Sequence, residues 1–260
     1  MFDVIAFRKH KENVVGIDAA SREIFCRPEV FGHVYRFAKL SGIQGRTYHA
    51  GEDFLDLPDG IRAIDEAIKF LELDEYCRIG HAMAVGIDAA DYYERRHFTT
   101  IITKQFLLDE CVWLYKRGRQ LNVKMSPRFE DCLQEKAKSL YDQIGYNKIC
   151  AWSFDTYWQS MLLRGNDPEC IYGNNDYNTL SLWVKTTHSQ LNEILQADCE
   201  ESRNLFSCYF NDKDIISNGS LLIQHKWEKD IVEVVTEIQK AMRREIAEMK
   251  ICIECCPTSN

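Results

Sequence analysis

The sequence predicts an α/β protein in which a short parallel sheet is interrupted by a large helical insertion. In residues 1–87, short apolar runs typical of strands alternate with amphipathic helices, which is the pattern of βαβ units. From residue 88 to about 249, helical periodicity replaces this alternation, and one more strand-like run follows at 250–254. We therefore expect about four parallel strand–helix units and an all-helical insertion.

The predicted strands are four short runs, and the first three are each followed by a helix or loop and end in a polar residue. They lie at residues 14–18, 47–49, 77–81 and 250–254. This pattern is typical of parallel strands that are buried on both faces. Between the strands, apolar residues at helical spacing predict helices at 29–40 and 61–71.

The insertion is predicted to contain five helices, at residues 91–117, 128–141, 154–163, 178–195 and 227–249. The last of these has an apolar stripe that includes Ile231, Val234 and Ile238, which indicates core packing or a helix–helix seam. Long amphipathic stretches of this kind offer apolar surface for subunit contacts. We therefore expect a homo-oligomer.

Composition excludes several classes of protein. The 260 residues are 45% hydrophobic and 28% charged, which suffices for a sizeable core. With 32 Lys and Arg against 40 Asp and Glu, the net charge of −8 argues against bulk nucleic-acid binding. Residues 1–10 carry charges where a signal peptide is apolar, and the apolar runs are too short to cross a bilayer. We expect a cytoplasmic protein with no membrane partner and reduced cysteines.

Two histidines occupy equivalent positions at the ends of neighbouring predicted strands. His49 is followed by Gly51 and Glu52, and His81 comes 32 residues later, which is one βα unit. The carboxyl ends of parallel strands meet at one edge of a sheet, where ligands and catalytic groups collect. A neutral imidazole can bind Zn²⁺, and a nearby carboxylate can move protons around a metal-bound water. The spacing therefore predicts a site that contains His49, Glu52 and His81.

Four motifs carry a resemblance to a known family. In order along the chain they are VVGID at 14–18, TYHAGE at 47–52, RIGHA at 78–82 and ECCPTSN at 254–260. This ordered set resembles the adenosine/AMP deaminase family of metal-dependent amidohydrolases. The stretches HAGEDF at 49–54 and GIRAIDEA at 60–67, with the position of the insertion, look most like deaminase subunits of bacterial anti-phage systems that pair an ATPase with an adenosine deaminase.

The resemblance implies a partial (β/α)8 barrel of the TIM type. Residues 1–87 would form its fourth to sixth strands, residues 88–249 the insertion, and residues 250–260 the seventh strand with the loop after it. The implied activity is zinc-dependent hydrolytic deamination of adenosine or an adenine nucleotide to the inosine form. The closer resemblance adds an ATPase as a partner.

The resemblance also implies a role for six residues, which are carried over by their positions in the motifs. Zinc would be bound by His49, while Glu52 would protonate the purine N1 and His81 would orient or deprotonate the attacking water. Three further residues, Asp18, Ser21 and Gly51, would border the purine.

The sequence departs from the family at three points. Ser21 stands where the family has a glycine that meets the purine ring, so an added Cβ would crowd the base. The family's two further histidine ligands form an H-x-H motif, which this sequence lacks, and its aspartate ligand comes from the eighth strand, which is not among the predicted units. A catalytic zinc needs at least three protein ligands.

Three hypotheses therefore stay open. The chain is one part of an adenosine-type deaminase, or a non-catalytic scaffold or interaction protein that kept the motifs, or an amidohydrolase that acts on another cyclic amidine or amide.

Overall fold

The computed structural model describes residues 14–20, 22–166 and 199–255. Within these ranges the chain is mixed α/β, with nine α-helices and a four-stranded parallel sheet, as predicted at the level of fold class. The predicted helix at 178–195, Ser21 and the 256–260 end of the last motif lie outside the described residues.

In chain order the described elements are β1 (Gly16–Ala19), α1 (Gly32–Leu40), β2 (Gly45–Ala50), α2 (Leu57–Phe70), β3 (Cys77–His81), α3 (Ala89–Arg95), β4 (Thr99–Thr103), α4 (Lys104–Gln120), α5 (Pro127–Ile144), α6 (Phe154–Leu163), α7 (Glu200–Asn211), α8 (Lys213–Gly219), β5 (Leu222–Lys226), α9 (Asp230–Glu248) and β6 (Cys252–Glu254). Short 3₁₀ helices lie at Glu23–Phe25, Pro28–Val30, Met83–Val85 and Tyr146–Lys148.

The parallel sheet contains all four predicted strands in the order β1-β2-β3-β6. Each neighbouring pair is parallel, so the order in space follows the order along the chain. The whole of the insertion connects β3 to β6. The register places His49 of β2 opposite Gly80 of β3, and Gly80 opposite Glu254 of β6.

Among the described residues, one face of this sheet packs against the core and the other does not. In β2 the side chains of Tyr48 and Ala50 are buried in the core, while Thr47 and His49 alternate with them and are half-buried. On β3, Arg78 shares the second face and its side chain is 62% exposed. Parallel sheets are normally covered on both faces. Within the described chain, the face that carries His49 is therefore open.

The predicted helix at 91–117 is wrong, and so is the expectation that the insertion is all-helical. Helix α3 ends at Arg95, and His97 and Phe98 then adopt positive φ angles of 50° and 59°, which break the helix. The β-branched run of Thr99–Thr103 follows as β4 and pairs antiparallel with β5. Helix α4 begins only after Thr103, whose side chain accepts a hydrogen bond from the Phe106 N–H.

Helices α1, α2, α5, α6 and α9 follow the predictions, most of them with shifted ends, whereas α7 and α8 were not predicted. Helix α6 has the predicted bounds, and α2 begins four residues early because the Asp56 side chain caps Leu57 and Pro58 fits a first helical turn. In α9 the predicted apolar stripe is buried in the core, which confirms core packing. None of the described helices is long and apolar enough to cross a membrane. The described cysteines form no disulfide with one another.

Buried ion pairs connect the sheet units to the insertion. They join the loop after β1, helix α2, helix α4 and the end of α6, with Arg62–Asp109 linking α2 to α4: the pairs are Arg27–Asp59 (2.7 Å), Arg27–Glu66 (3.0 Å), Arg62–Glu66 (2.6 Å), Arg62–Asp109 (3.7 Å) and Arg164–Asp109 (2.6 Å). All six side chains are at most 8% exposed. Buried charges of this kind are tolerated only when they are paired. The network therefore fixes the insertion against α2 and the loop after β1.

Candidate functional site

The structure brings His49, Glu52 and His81 together at the carboxyl edge of the sheet. The imidazole centroids of His49 and His81 are 5.3 Å apart. His81 Nε2 lies 3.1 Å from Glu52 Oε2, and the two histidine side chains are only 16% and 10% exposed. The three residues predicted from strand ends therefore form one cluster of two imidazoles and a carboxylate.

Asp18, at the carboxyl end of β1, faces the other side of His49. Asp18 Oδ1 is 3.3 Å from His49 Nδ1, which is an ion-pair distance without the alignment of a hydrogen bond. His49 Nδ1 is buried and has no hydrogen-bond partner among the described residues. A carboxylate at Nδ1 favours the tautomer that carries its proton there, so that Nε2 keeps a lone pair for a ligand.

The turn after β2 requires glycine at position 51. Gly51 has a φ of +87°, and a Cβ there would lie 2.6 Å from Ile64 Cδ1. The Ala84 N–H donates to the Gly51 carbonyl at 2.8 Å, which joins this turn to the segment after β3. Gly51 was predicted to border a substrate, and in the structure it shapes the turn that presents Glu52.

Backbone strain marks the end of β3. His81 and Ala82 have positive φ angles of 63° and 48°, although neither is glycine. Each left-handed residue of this kind costs about 1–2 kcal/mol, and such strain collects at functional sites. The Ala82 N–H donates to Ala50 O at 3.2 Å, so the strained turn is held against the end of β2. The positive φ angle of His81 is part of the backbone conformation in which its imidazole points toward Glu52.

Glu23 is a site residue that the sequence interpretation missed. It lies in the 3₁₀ helix after β1, is 8% exposed, and its Oε2 accepts the backbone N–H groups of Glu52 (3.0 Å) and Asp53 (3.3 Å). Burial raises the pKa of Glu23, while the N–H groups of residues 51–53 oppose that rise. The sequence feature that could have identified Glu23 is its position: it is a carboxylate in the loop that follows β1, at the same edge of the sheet as the histidines.

A cavity of about 230 Å³ opens beside this cluster. Charged and aromatic side chains line it together with small residues: Asp18, Ala19, Ala20, Glu23, Cys26, Phe31, Tyr48 and His49. The cavity is smaller than most ligand pockets, which measure roughly 300–1,000 Å³, but its aromatic walls and few convergent polar groups are features that such pockets share. Asp18, which the resemblance places at the border of the purine, is one of the residues that line this cavity.

The described residues do not by themselves fit a zinc ion. No group of three or more His, Cys, Asp or Glu side chains in this part of the chain is arranged to hold a metal. His49 and His81 face the same space, but a catalytic zinc takes three protein ligands and one open position. His49 as a zinc ligand remains a prediction that requires further ligands.

Comparison with known proteins gives no family for the chain: no protein-family model matches it, and no curated protein matches it significantly. The function is therefore argued from the chemistry of the site.

Proposed function

We propose that the chain carries part of the active site of a zinc-dependent deaminase that converts adenosine or an adenine nucleotide to the inosine form. The observation that carries this proposal is the convergence of His49, Glu52 and His81 at the carboxyl edge of adjacent parallel strands. The spatial order β1-β2-β3-β6 supports it, because successive strands of a (β/α)8 barrel are neighbours in this way.

The residues of this chain account for the proton movements of such a reaction. Water adds to the ring carbon that carries the amino group, and the amino group leaves as ammonia. Glu52 would donate a proton to the neighbouring ring nitrogen, and His81 would accept a proton from the attacking water. His81 would then give that proton to the amino group, which leaves as ammonia, while Glu52 would take the remaining hydroxyl proton as the carbonyl forms. The distance of 3.1 Å between His81 Nε2 and Glu52 Oε2 allows a proton to pass between them.

The barrel and the zinc site require strands beyond those described. The apolar side chains of Val15, next to β1, and of Ile253 in β6 are 86% and 44% exposed at the two edges of the described sheet. Strands that paired with β1 and β6 would cover these residues and the open face. We propose that such strands, in the same polypeptide or a second chain, supply the ligands that complete zinc binding with His49.

An assay of the completed protein tests the proposal. Zinc content is measured first, and ammonia release is then followed with adenosine, its nucleotides and other cyclic amidines as substrates. Glu52→Gln should lower kcat by about 10²–10⁴-fold, the usual contribution of general acid–base catalysis. Glu135→Gln, an exposed carboxylate in α5, is the matched control and should keep full activity. A zinc-loaded protein with Glu52 intact that deaminates no adenine compound refutes the proposal.

A second candidate, a non-catalytic interaction protein, is supported by one observation. Ile101 and Leu222 lie on the same face of the β4-β5 pair and are 63% and 65% exposed. Exposed apolar patches are typical of protein–protein contacts, which fits the expected homo-oligomer and, through the resemblance, an ATPase partner. Light scattering on the wild type and on Ile101→Ser/Leu222→Ser tests the contact between copies. A zinc-free protein that forms an assembly lost in the double variant favours this candidate.

A further inference from the structure

We propose that Glu23 is a positioning residue, which fixes the turn at 51–53 and thereby holds the Glu52 carboxylate against His81. This inference rests on the proposed function for its effect on catalysis. Its structural part concerns only the hydrogen bonds of Glu23 and can be tested without activity.

The first argument is the geometry of the turn. A single oxygen, Glu23 Oε2, accepts the N–H groups of two successive residues, Glu52 at 3.0 Å and Asp53 at 3.3 Å. Two donors that converge on one acceptor fix the orientations of both peptide groups. Because the turn begins at Gly51, a residue with wide conformational freedom, this acceptor restricts a segment that is otherwise easily rearranged.

The second argument is the cost of placing a carboxylate there. Glu23 is 8% exposed, and its Oε1 is buried without a hydrogen-bond partner among the described residues. No Lys, Arg or His side chain forms an ion pair with it in this part of the chain. A buried carboxylate with one unpaired oxygen destabilises the fold unless its other contacts compensate. The contacts it does make are with the turn that carries Glu52.

The third argument is the position of Glu23 relative to the reacting groups. It lines the same cavity as Asp18 and His49, while Glu52 on the turn reaches His81. Glu23 therefore acts on the site through the backbone of residue 52. Without it, the turn retains the hydrogen bond from Ala84 to Gly51, but nothing else described holds the N–H groups of Glu52 and Asp53.

Amide hydrogen exchange at Glu52 and Asp53 tests the structural part. In Glu23→Ala we expect exchange at both amides to be at least about tenfold faster, because hydrogen bonds to a charged acceptor are lost. Glu23→Asp is too short by one methylene and should behave in the same way, which keeps the test valid if the alanine variant does not fold. Glu23→Gln retains an acceptor oxygen and should stay close to wild type.

Tyr48→Phe is the matched control. Its hydroxyl donates to Cys26 O at 2.8 Å and so anchors the same loop without touching the turn at 51–53. If Tyr48→Phe speeds exchange at Glu52 and Asp53 as much as Glu23→Ala does, the effect is general loosening of the loop and the proposal is overturned.

Kinetics of the completed enzyme test the catalytic part. Glu23→Ala should lower kcat by about 10- to 100-fold with KM little changed, since a displacement of about 1 Å has an effect of that size, and Glu23→Gln should restore most of it. Equal effects on kcat and KM, or no rescue by glutamine, would overturn the positioning role. If the wild type deaminates nothing, the proposed function fails, while the exchange experiment still decides the role of Glu23.

Discussion

Gly80 lies directly beneath the imidazole of His49, so an alanine there should displace the ring without altering either histidine. The added Cβ would be 2.3 Å from His49 Cδ2 and 2.6 Å from Nε2, whereas carbon atoms in contact lie about 3.5–4.0 Å apart. The ring must therefore move by more than about 1 Å. Overpacking of this kind costs about 1–3 kcal/mol, or roughly 2–4 °C in Tm per kcal/mol for a chain of this size.

The same displacement should reduce activity far more than stability. A shift of about 1 Å in a site residue costs up to about 100-fold in rate. Deaminase activity of the completed protein and thermal denaturation measure the two effects, and the ¹H–¹⁵N signals of the His49 and His81 imidazoles report the displacement directly. Gly118→Ala in α4 is the control, because its Cβ would clash only with the terminal methyl of Met125, which can swing away, and would be in ordinary contact with Ile238. Unchanged activity and unchanged imidazole signals in Gly80→Ala would refute the placement of His49.

Three further predictions concern stability, and urea or thermal denaturation checks each of them. Asp109→Ala leaves the buried guanidinium of Arg164 without its carboxylate and should cost about 3–5 kcal/mol; a loss below about 1 kcal/mol would contradict the buried pair. Burial raises the pKa of Asp56 from 3.8 to about 6. The folded state therefore binds this proton more tightly, and stability should fall by on the order of 2 kcal/mol as the pH rises from 4 to 7, a decline that Asp56→Asn should remove. Lys250 follows α9 with a φ of 56° and an exposed side chain, so Lys250→Gly should stabilise by about 1 kcal/mol, and a lower Tm would count against that strain.

Local patterns in the sequence predicted the elements whose own residues carry the signal. The strands β2 and β3 and the helix α6 were found because apolar periodicity and end residues are contained within each segment. The strand β4 was missed because helical spacing continues on both sides of Thr99–Thr103. Its conformation depends on pairing with β5, which lies far away in the sequence, so no local window contains the deciding contact.

The residues of the candidate site also differ in whether the sequence could predict them. His49, Glu52 and His81 could be predicted together because parallel strands bring their carboxyl ends to one edge whatever the loops do. Glu23 could not be predicted in its role, since its contact with residues 51–53 depends on how the loop after β1 folds back over the next turn. The strain at His81 and Ala82 likewise follows from the packing of one turn against another.

The position of Glu23 also depends on the insertion, through the buried ion pairs. Arg27 lies four residues after Glu23 and is bound by Asp59 and Glu66 of α2, so α2 holds the loop that positions the turn at 51–53. Arg62 of the same helix is 3.7 Å from Asp109 in α4, and Asp109 also binds Arg164 after α6. Removal of the insertion would take Asp109 from Arg62 and expose the apolar face of α2. Arg62 would keep Asp59 and Glu66 as partners, so the loss would be one of packing. The helical segment covers α2, and α2 binds Arg27 and so supports the loop that holds Glu23 and the turn of Glu52.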